Sequence, residues 1–328
     1  MFLRQYWYVA ALSRDIGRKP VTRRILGEDL VFYRMTAGDV VALRDRCPHR
    51  LAPLSLGEVV GDELQCRYHG MRFGKDGKCT AVPGENFIAP VLCVDTFPVA
   101  ERHGLVWIWM GEAAKADPAQ IPEWPWMEKS DFVHLHMDAR VFNAPLFAIV
   151  DNLLDLTHIH FTHRLLGADN LVHDSEPMKV WREGPSVHFS RKLKRVVKPG
   201  VYAETRGSFH LPSVCYTRSM LREEESGELL PAPMTHVMHA LTPATAESTN
   251  YLIIRSWNAL TKPQDIAQLT EQSHVTIEED REIVEAQQRV RNASPGVSDR
   301  LIRADAAAVD ARRMYAEALR TEEAAVAA

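Results

Sequence analysis

The sequence predicts an α+β protein in two parts, and three observations carry that prediction. Short strand-like runs fill roughly the first 110 residues; three prolines (Pro118, Pro122 and Pro125) then interrupt the chain; and the C-terminal stretch holds two helix-length segments, 264–292 and 298–320. The expected organisation is therefore a small, mostly β domain over 1–117 and a mixed domain over 118–328.

The elements follow in order. "RILGEDLVFYRM", "DVVALRD" and "VAERHGLVWIWMG" are rich in β-branched and aromatic residues with partial alternation, and "KDGKC" and "VPGEN" punctuate them as turns. After the proline-bearing connector, "FVHLHMDARVF" alternates again. Residues 146–160 read as a helix by length and apolar content, and "VWREGPSVHFSRKL", "THVMHALTP" and "NYLIIRSWNAL" as further strands. In 264–292 the apolar residues Ile266, Leu269, Ile277 and Val284 form one stripe, which predicts an amphipathic helix with Glu278, Glu279 and Glu282 pointing into solvent. An alanine-rich helix over 298–320 closes the chain.

Composition excludes several classes. Of 328 residues, 46% are apolar and 25% charged, ordinary for a globular chain with a sizeable core. A net charge of −4 without a basic stripe argues against nucleic acid as a partner. No apolar run approaches the ~18 residues of a membrane span. The N-terminus lacks the features of a cleaved signal, so a cytoplasmic location is expected. The five cysteines (47, 66, 79, 93 and 215) are odd in number and irregularly spaced, which favours metal or free thiols over disulfides.

"CPHR" sets Cys47 two residues before His49, and "CRYHG" sets Cys66 three before His69, with sixteen residues between the pairs. Each turn-like loop thus offers one thiolate and one imidazole. A Rieske [2Fe–2S] centre needs that set, with two cysteines on one iron and two histidines on the other. A structural zinc site is the competing reading, but zinc fingers usually run Cys-Cys then His-His. Four unrelated residues are the bland alternative.

The second cluster of interest is "DNLLDLTHIHFTH", Asp151 to His163. On a helix, Asp151, Asp155 and His158 share one face, with Asn152 beside them. A polar stripe in apolar surroundings is either a buried hydrogen-bond network, a solvent-facing edge, or a metal site. Helix geometry favours His160 and His163 as a pair, because His158 and His163 lie about 140° apart at 3.6 residues per turn. The latter two converge only if the helix bends or ends between them. Asp280 falls on the apolar stripe of the long C-terminal helix, where it is either a paired carboxylate or a ligand.

The segment "CPHRLAPLSLGEVVGDELQCRYHG" resembles the Rieske domain of the non-haem iron ring-hydroxylating oxygenases. "WYVAALSRDI" and "ERHGLVWIWMGEAAKADPAQIP" are similar to its monooxygenase branch, which includes vanillate and dicamba O-demethylases and toluenesulfonate methyl-monooxygenase. The resemblance spans nearly the whole chain and is weakest over about 165–235. It implies an N-terminal all-β Rieske domain followed by a helix-grip (START-like) catalytic domain with an antiparallel sheet and a long C-terminal helix. It also implies that Cys47, His49, Cys66 and His69 hold the [2Fe–2S] cluster. "NLLDLTHIHFTH" resembles the family's N-x-x-D-x-x-H-x-x-x-x-H, and "EEDREIVEAQQ" its C-terminal helix. These assign mononuclear Fe(II) to His158, His163 and Asp280, place Asn152 near the iron, and make Asp155 an electron bridge to the Rieske histidine of a neighbouring subunit in a homotrimer. His160 is left as a neighbouring or pocket-lining residue.

The implied activity is that of a terminal oxygenase using O2 as cosubstrate. No G-x-G-x-x-G fingerprint is present, so NAD(P)H and flavin belong to a separate flavin/iron–sulfur reductase, with or without a ferredoxin. The implied substrate is a small aromatic, and the implied reaction O-demethylation of a methoxylated (vanillate-type) acid with release of formaldehyde; methyl or ring hydroxylation is the alternative. An electron carrier without oxygen chemistry is the different-class alternative. A substrate carboxylate would need a cation, for which Arg206, Arg218 and Arg255 are available within 165–255.

Overall fold

A computed structural model describes residues 1–163, 177–193 and 199–327. It divides into two compact units, Met1–Ile121 with Thr242–Ala246, and Pro122–Leu241 with Glu247–Ala328.

The first unit contains β1 (Trp7–Leu12), β2 (Val21–Ile25), β3 (Glu28–Arg34), β4 (Val40–Arg44), β5 (Glu58–Val60), β6 (Glu63–Gln65), β7 (Arg72–Phe73), β8 (Cys79–Ala81), β9 (Thr96–Phe97), β10 (Val99–Arg102) and β11 (Leu105–Trp109). They form three small sheets, ordered β1-β11-β10, β2-β3-β4-β9 and β5-β6-β7-β8. Strand β3 is buried on both faces, and its period of two divides the core. Leu30 and Phe32 pack with Tyr8, Ile25, Val106 and Ile108, whereas Val31 and Tyr33 pack with Leu43, Leu64, Phe73, Cys47 and Cys66. Each such side chain contributes about 1.5–3 kcal/mol by burial. The second cluster makes the Cys47 and Cys66 loops extensions of a packed core.

The second unit is a seven-stranded sheet with helices. Its strands are β12 (Phe132–Phe142), β13 (Lys179–Glu183), β14 (Ser186–Leu193), β15 (Val201–His210), β16 (Val214–Glu223), β17 (Thr235–Thr245) and β18 (Ser248–Asn258), in the order β12-β18-β17-β16-β15-β14-β13. The registered pairs are antiparallel. Helices α1 (Leu146–Leu154), α2 (Ile159–Thr162), α3 (Pro263–Ala293) and α4 (Ala306–Ala327) complete it. In α3, Pro263 takes the first turn, where its missing N–H costs nothing. Ser273, Ile277, Asp280 and Val284 are its buried residues, and their 4-3-4 spacing forms one stripe.

Two helix expectations need correction. The helix over 146–160 stops at Leu154, because Asp155 is extended (φ −108°, ψ 103°) and its carboxylate accepts the Thr157 N–H at 2.9 Å. A short aspartate that can bond the backbone two residues on competes with helix continuation. The closing helix starts at Ala306, not 298; a short 3₁₀ turn precedes it, and the Ile302 N–H donates to Asp305 Oδ2 at 2.6 Å.

Candidate metal centres

The two Cys–His loops share one backbone design. The Cys47 N–H donates to the Ala52 carbonyl (2.9 Å) and the Leu51 N–H back to Cys47 (2.9 Å); the Cys66 N–H donates to Met71 (2.8 Å) and the Gly70 N–H back to Cys66 (3.0 Å). In both loops the fourth residue after the cysteine has positive φ, Leu51 at 60° and Gly70 at 73°. Glycine suits this conformation at Gly70, whereas at Leu51 the left-handed region disfavours the side chain. The thiols are buried (Cys47 2% and Cys66 1% exposed), and burial pushes the Cys47 thiol up to about 11. His49 and His69 are exposed, with ring centroids 4.5 Å apart. Two buried thiols behind two adjacent surface imidazoles fit a Rieske cluster, which Cys47, Cys66, His49 and His69 would hold.

In the second unit the break at Asp155 re-aims the chain. A 3₁₀ turn over Leu156–His158 leads into α2, which ends at Thr162 and leaves His163 extended (φ −96°, ψ 95°). The condition for His158 and His163 to converge is met, and their rings lie 5.1 Å apart. The two Nε2 atoms each sit 3.4 Å from the same oxygen, Asp280 Oδ1, to which Asn152 Nδ2 also donates at 3.2 Å. His158, His163 and Asp280 can place one donor atom each within 4.8 Å of the others. A metal with bonds of about 2.0–2.2 Å holds neighbouring donors about 3.0–3.6 Å apart, so the three fit one ion. Two histidines and one carboxylate with open positions are the ligand set of non-haem Fe(II) oxygenases.

Both ring orientations are fixed from behind. His158 Nδ1 meets the Asp155 carbonyl at 2.7 Å and His163 Nδ1 meets Glu279 Oε2 at 3.1 Å. Carbonyl and carboxylate oxygens only accept, so each Nδ1 carries a proton, and the Nε2 atoms are the ones turned toward Asp280. Burial opposes protonation of His158, but the Asp280 carboxylate and Asp155 outweigh it and raise its pKa. Glu279 therefore does not point into solvent as its place in an acidic run suggested, and Glu278 pairs with Arg140 at 3.0 Å; Glu282 is exposed as expected. Asp151 turns away to Arg312 of α4, and burial pushes its carboxyl up against the pull of that guanidinium.

Asp155 stands apart from the triad. Its carboxylate is held by the Thr157 hydroxyl at 2.7 and 2.9 Å. It lies at a surface cavity of about 540 Å³ that His158, Arg300 and Arg313 also line. His160 is in α2, with its side chain outside the described residues, as are 164–176 and 194–198 of the weakly resembling pocket region. Of the candidate cations, Arg206 pairs with Glu204 at 2.7 Å. Arg218 lies directly across from Arg206 and His236, on the face opposite the Cys215–His239 pair. Arg255 shares a face with Tyr251, which hydrogen-bonds His239, and so lies on the Cys215–His239 face.

Paired Cys–His loops and a separate two-histidine, one-carboxylate site define a class: Rieske iron–sulfur proteins with a mononuclear non-haem iron. The comparisons agree. Residues 6–98 match the Rieske [2Fe–2S] domain model, and 142–321 match the vanillate O-demethylase oxygenase C-terminal domain. The chain is 34% identical over 339 residues to the oxygenase component of dicamba O-demethylase from Stenotrophomonas maltophilia, covering 95% of this chain and 96% of that one. It is 42% identical over 178 residues to the toluene-4-sulfonate monooxygenase iron–sulfur subunit of Comamonas testosteroni, covering 52% of this chain; the match spans about half (49%) of that relative. A crystal structure of dicamba monooxygenase bound to dicamba superposes with a TM-score of 0.86 at 30% identity, covering 98% of this chain and 99% of that one. This chain belongs to the vanillate O-demethylase branch of the Rieske non-haem iron oxygenases. Among the described residues no helix is long and apolar enough to cross a membrane.

Proposed function

We propose that the chain is the terminal oxygenase of a multicomponent, O2-dependent monooxygenase, and that its reaction is O-demethylation of a small methoxylated aromatic acid. One observation carries this reading: His158, His163 and Asp280 converge in a chain that also bears the Cys47/His49 and Cys66/His69 loops. In this reading residues 1–117 hold the [2Fe–2S] cluster through Cys47, His49, Cys66 and His69, and 118–328 hold iron through His158, His163 and Asp280. When bound, the cluster relays single electrons and the iron uses them to activate O2 beside the substrate. A methoxyarene, O2, two electrons and two protons give a hemiacetal and water, and the hemiacetal collapses to formaldehyde and a phenol.

The chain's own residues prepare that chemistry. Asp155 and Glu279 hold the imidazoles in the ligating tautomer, and Asn152 orients Asp280. The Asp155 carboxylate is the bridge from the partner subunit's His69 to His158 in a homotrimer. Its place at an open cavity supports the docking of another subunit there. The electrons come from NAD(P)H through a separate reductase in the cytoplasm. The oxygenase-component names of the relatives support that division of labour. The test is a panel of methoxylated and methylated aromatic acids with a surrogate reductase, reading formaldehyde and hydroxylated product. Formaldehyde in step with O2 uptake is expected; reductase-driven cluster turnover with no oxidised product from any acid would leave only an electron carrier.

A further inference from the structure

Strand β18 presents Tyr251, Ile253, Arg255 and Trp257 on one face, by its period of two. That face is the one turned toward Asp280, whose charge reaches Tyr251. Tyr251 shares a 2.6 Å hydrogen bond with His239, and both feel the charge of Asp280. Arg255 lies opposite Leu135 of β12. Protein crowds its guanidinium enough to lower its pKa, and the residue as a whole is half-buried. Among the described residues no carboxylate lies within ion-pair distance of it; Arg206, Arg222 and Arg140 all have such partners. Two residues on, the Trp257 indole is fully buried, and its Nε1–H has no acceptor among the described residues. Buried donors and buried cations are seldom left unmatched, because desolvation without a partner is costly. The Trp257 N–H is sealed from any ligand atom, so it is the unpaired Arg255 cation that describes a site for an anion.

We propose that Arg255 is the anion-binding end of the substrate pocket and takes the carboxylate or sulfonate of an aromatic acid. The inference rests on the oxygenase reading. It makes Arg255 a specificity-determining residue that discriminates acids from neutral aromatics of the same shape. A planar guanidinium suits a carboxylate or sulfonate through paired N–H donors.

The test is calorimetric binding of 4-methoxybenzoate, benzenesulfonate and neutral 4-methoxybenzamide to the oxidised holoenzyme, with visible absorption of the cluster and thermal unfolding as checks of the fold. Arg255→Gln should weaken both acids by about 10- to 100-fold and leave the amide unchanged. Arg255→Lys should recover part of the loss. Acid binding undiminished in folded Arg255→Gln, or equal loss of acid and amide, overturns the inference. Formaldehyde from a neutral methoxyarene together with undiminished acid binding in Arg255→Gln defeats the anion site and leaves the oxygenase reading standing. Selective loss of acid binding, with no oxidation of any compound, supports the anion site and defeats the oxygenase reading.

Discussion

Glu279 offers a sharp test of how the proposed iron site is built, because among the described residues its carboxylate is what links α3 to the back of His163. The contact is 3.1 Å, with His163 2% and Glu279 20% exposed on their side chains, so solvent cannot readily replace the carboxylate. Glu279→Ala leaves a buried Nδ1–H without an acceptor, a cost of about 1–3 kcal/mol. It also frees the ring to turn its Nε2 away from Asp280. Loss of such a supporting partner lowers metal affinity by about 10- to 100-fold. That range is about 1.4–2.7 kcal/mol, in line with the desolvation figure. Glu279→Gln keeps an oxygen acceptor and loses the charge, so its effect should be smaller, about 3- to 10-fold. The assay is Fe(II) retention against a graded chelator, with the cluster's visible absorption as an internal measure of folded protein. Glu282→Gln, exposed on the same helix, is the control and should match wild type. If Glu279→Ala holds Fe(II) as tightly as wild type while His163→Ala loses it, the orienting role of Glu279 is refuted.

Asp155→Asn should leave both metals bound but slow single-turnover electron transfer from cluster to iron by at least an order of magnitude; normal transfer in rapid-mixing spectroscopy would remove Asp155 from the path. Gly207→Ala should destabilise the sheet by about 1–3 kcal/mol, since the added methyl would press on the Phe189 ring and lie 2.8 Å from the Tyr216 carbonyl. Gly17→Ala, with open space around it, should be near neutral by thermal unfolding. Burial depresses His210 and His236 from 6.5 to about 4. The unfolded chain therefore takes up protons that the folded chain refuses once pH falls below 6.5, so stability is full above that value and lost between 6.5 and about 4. The loss should reach about 1.4 kcal/mol per pH unit for His210 alone, read by urea unfolding at pH 7, 6 and 5; a flat profile would count against a neutral buried His210.

The Rieske loops were legible because their cysteines and histidines are close in sequence and their residue types are rare. Asp280 was legible for another reason: a carboxylate on an apolar stripe needs a partner, and the helix period shows the stripe. The choice between His158 and His160 was not legible by spacing, because it depends on where the helix breaks. That break comes from the Asp155 carboxylate bonding Thr157, a local competition that an unbroken apolar pattern conceals. Glu279 was misread because an acidic run looks solvated, whereas its contact is with a residue 116 positions away. Arg255 could not be separated from Arg206 and Arg218 until the strand pairing and the Tyr251–His239 hydrogen bond showed which face each occupies.

The central claim is that oxygen chemistry occurs at a mononuclear site distinct from the cluster. Asp280→Ala tests it most directly, with cluster spectrum, iron content and formaldehyde release read on one preparation. The account predicts an unchanged Rieske spectrum, loss of the mononuclear iron and no product. Product formation at the wild-type rate in that variant would contradict it.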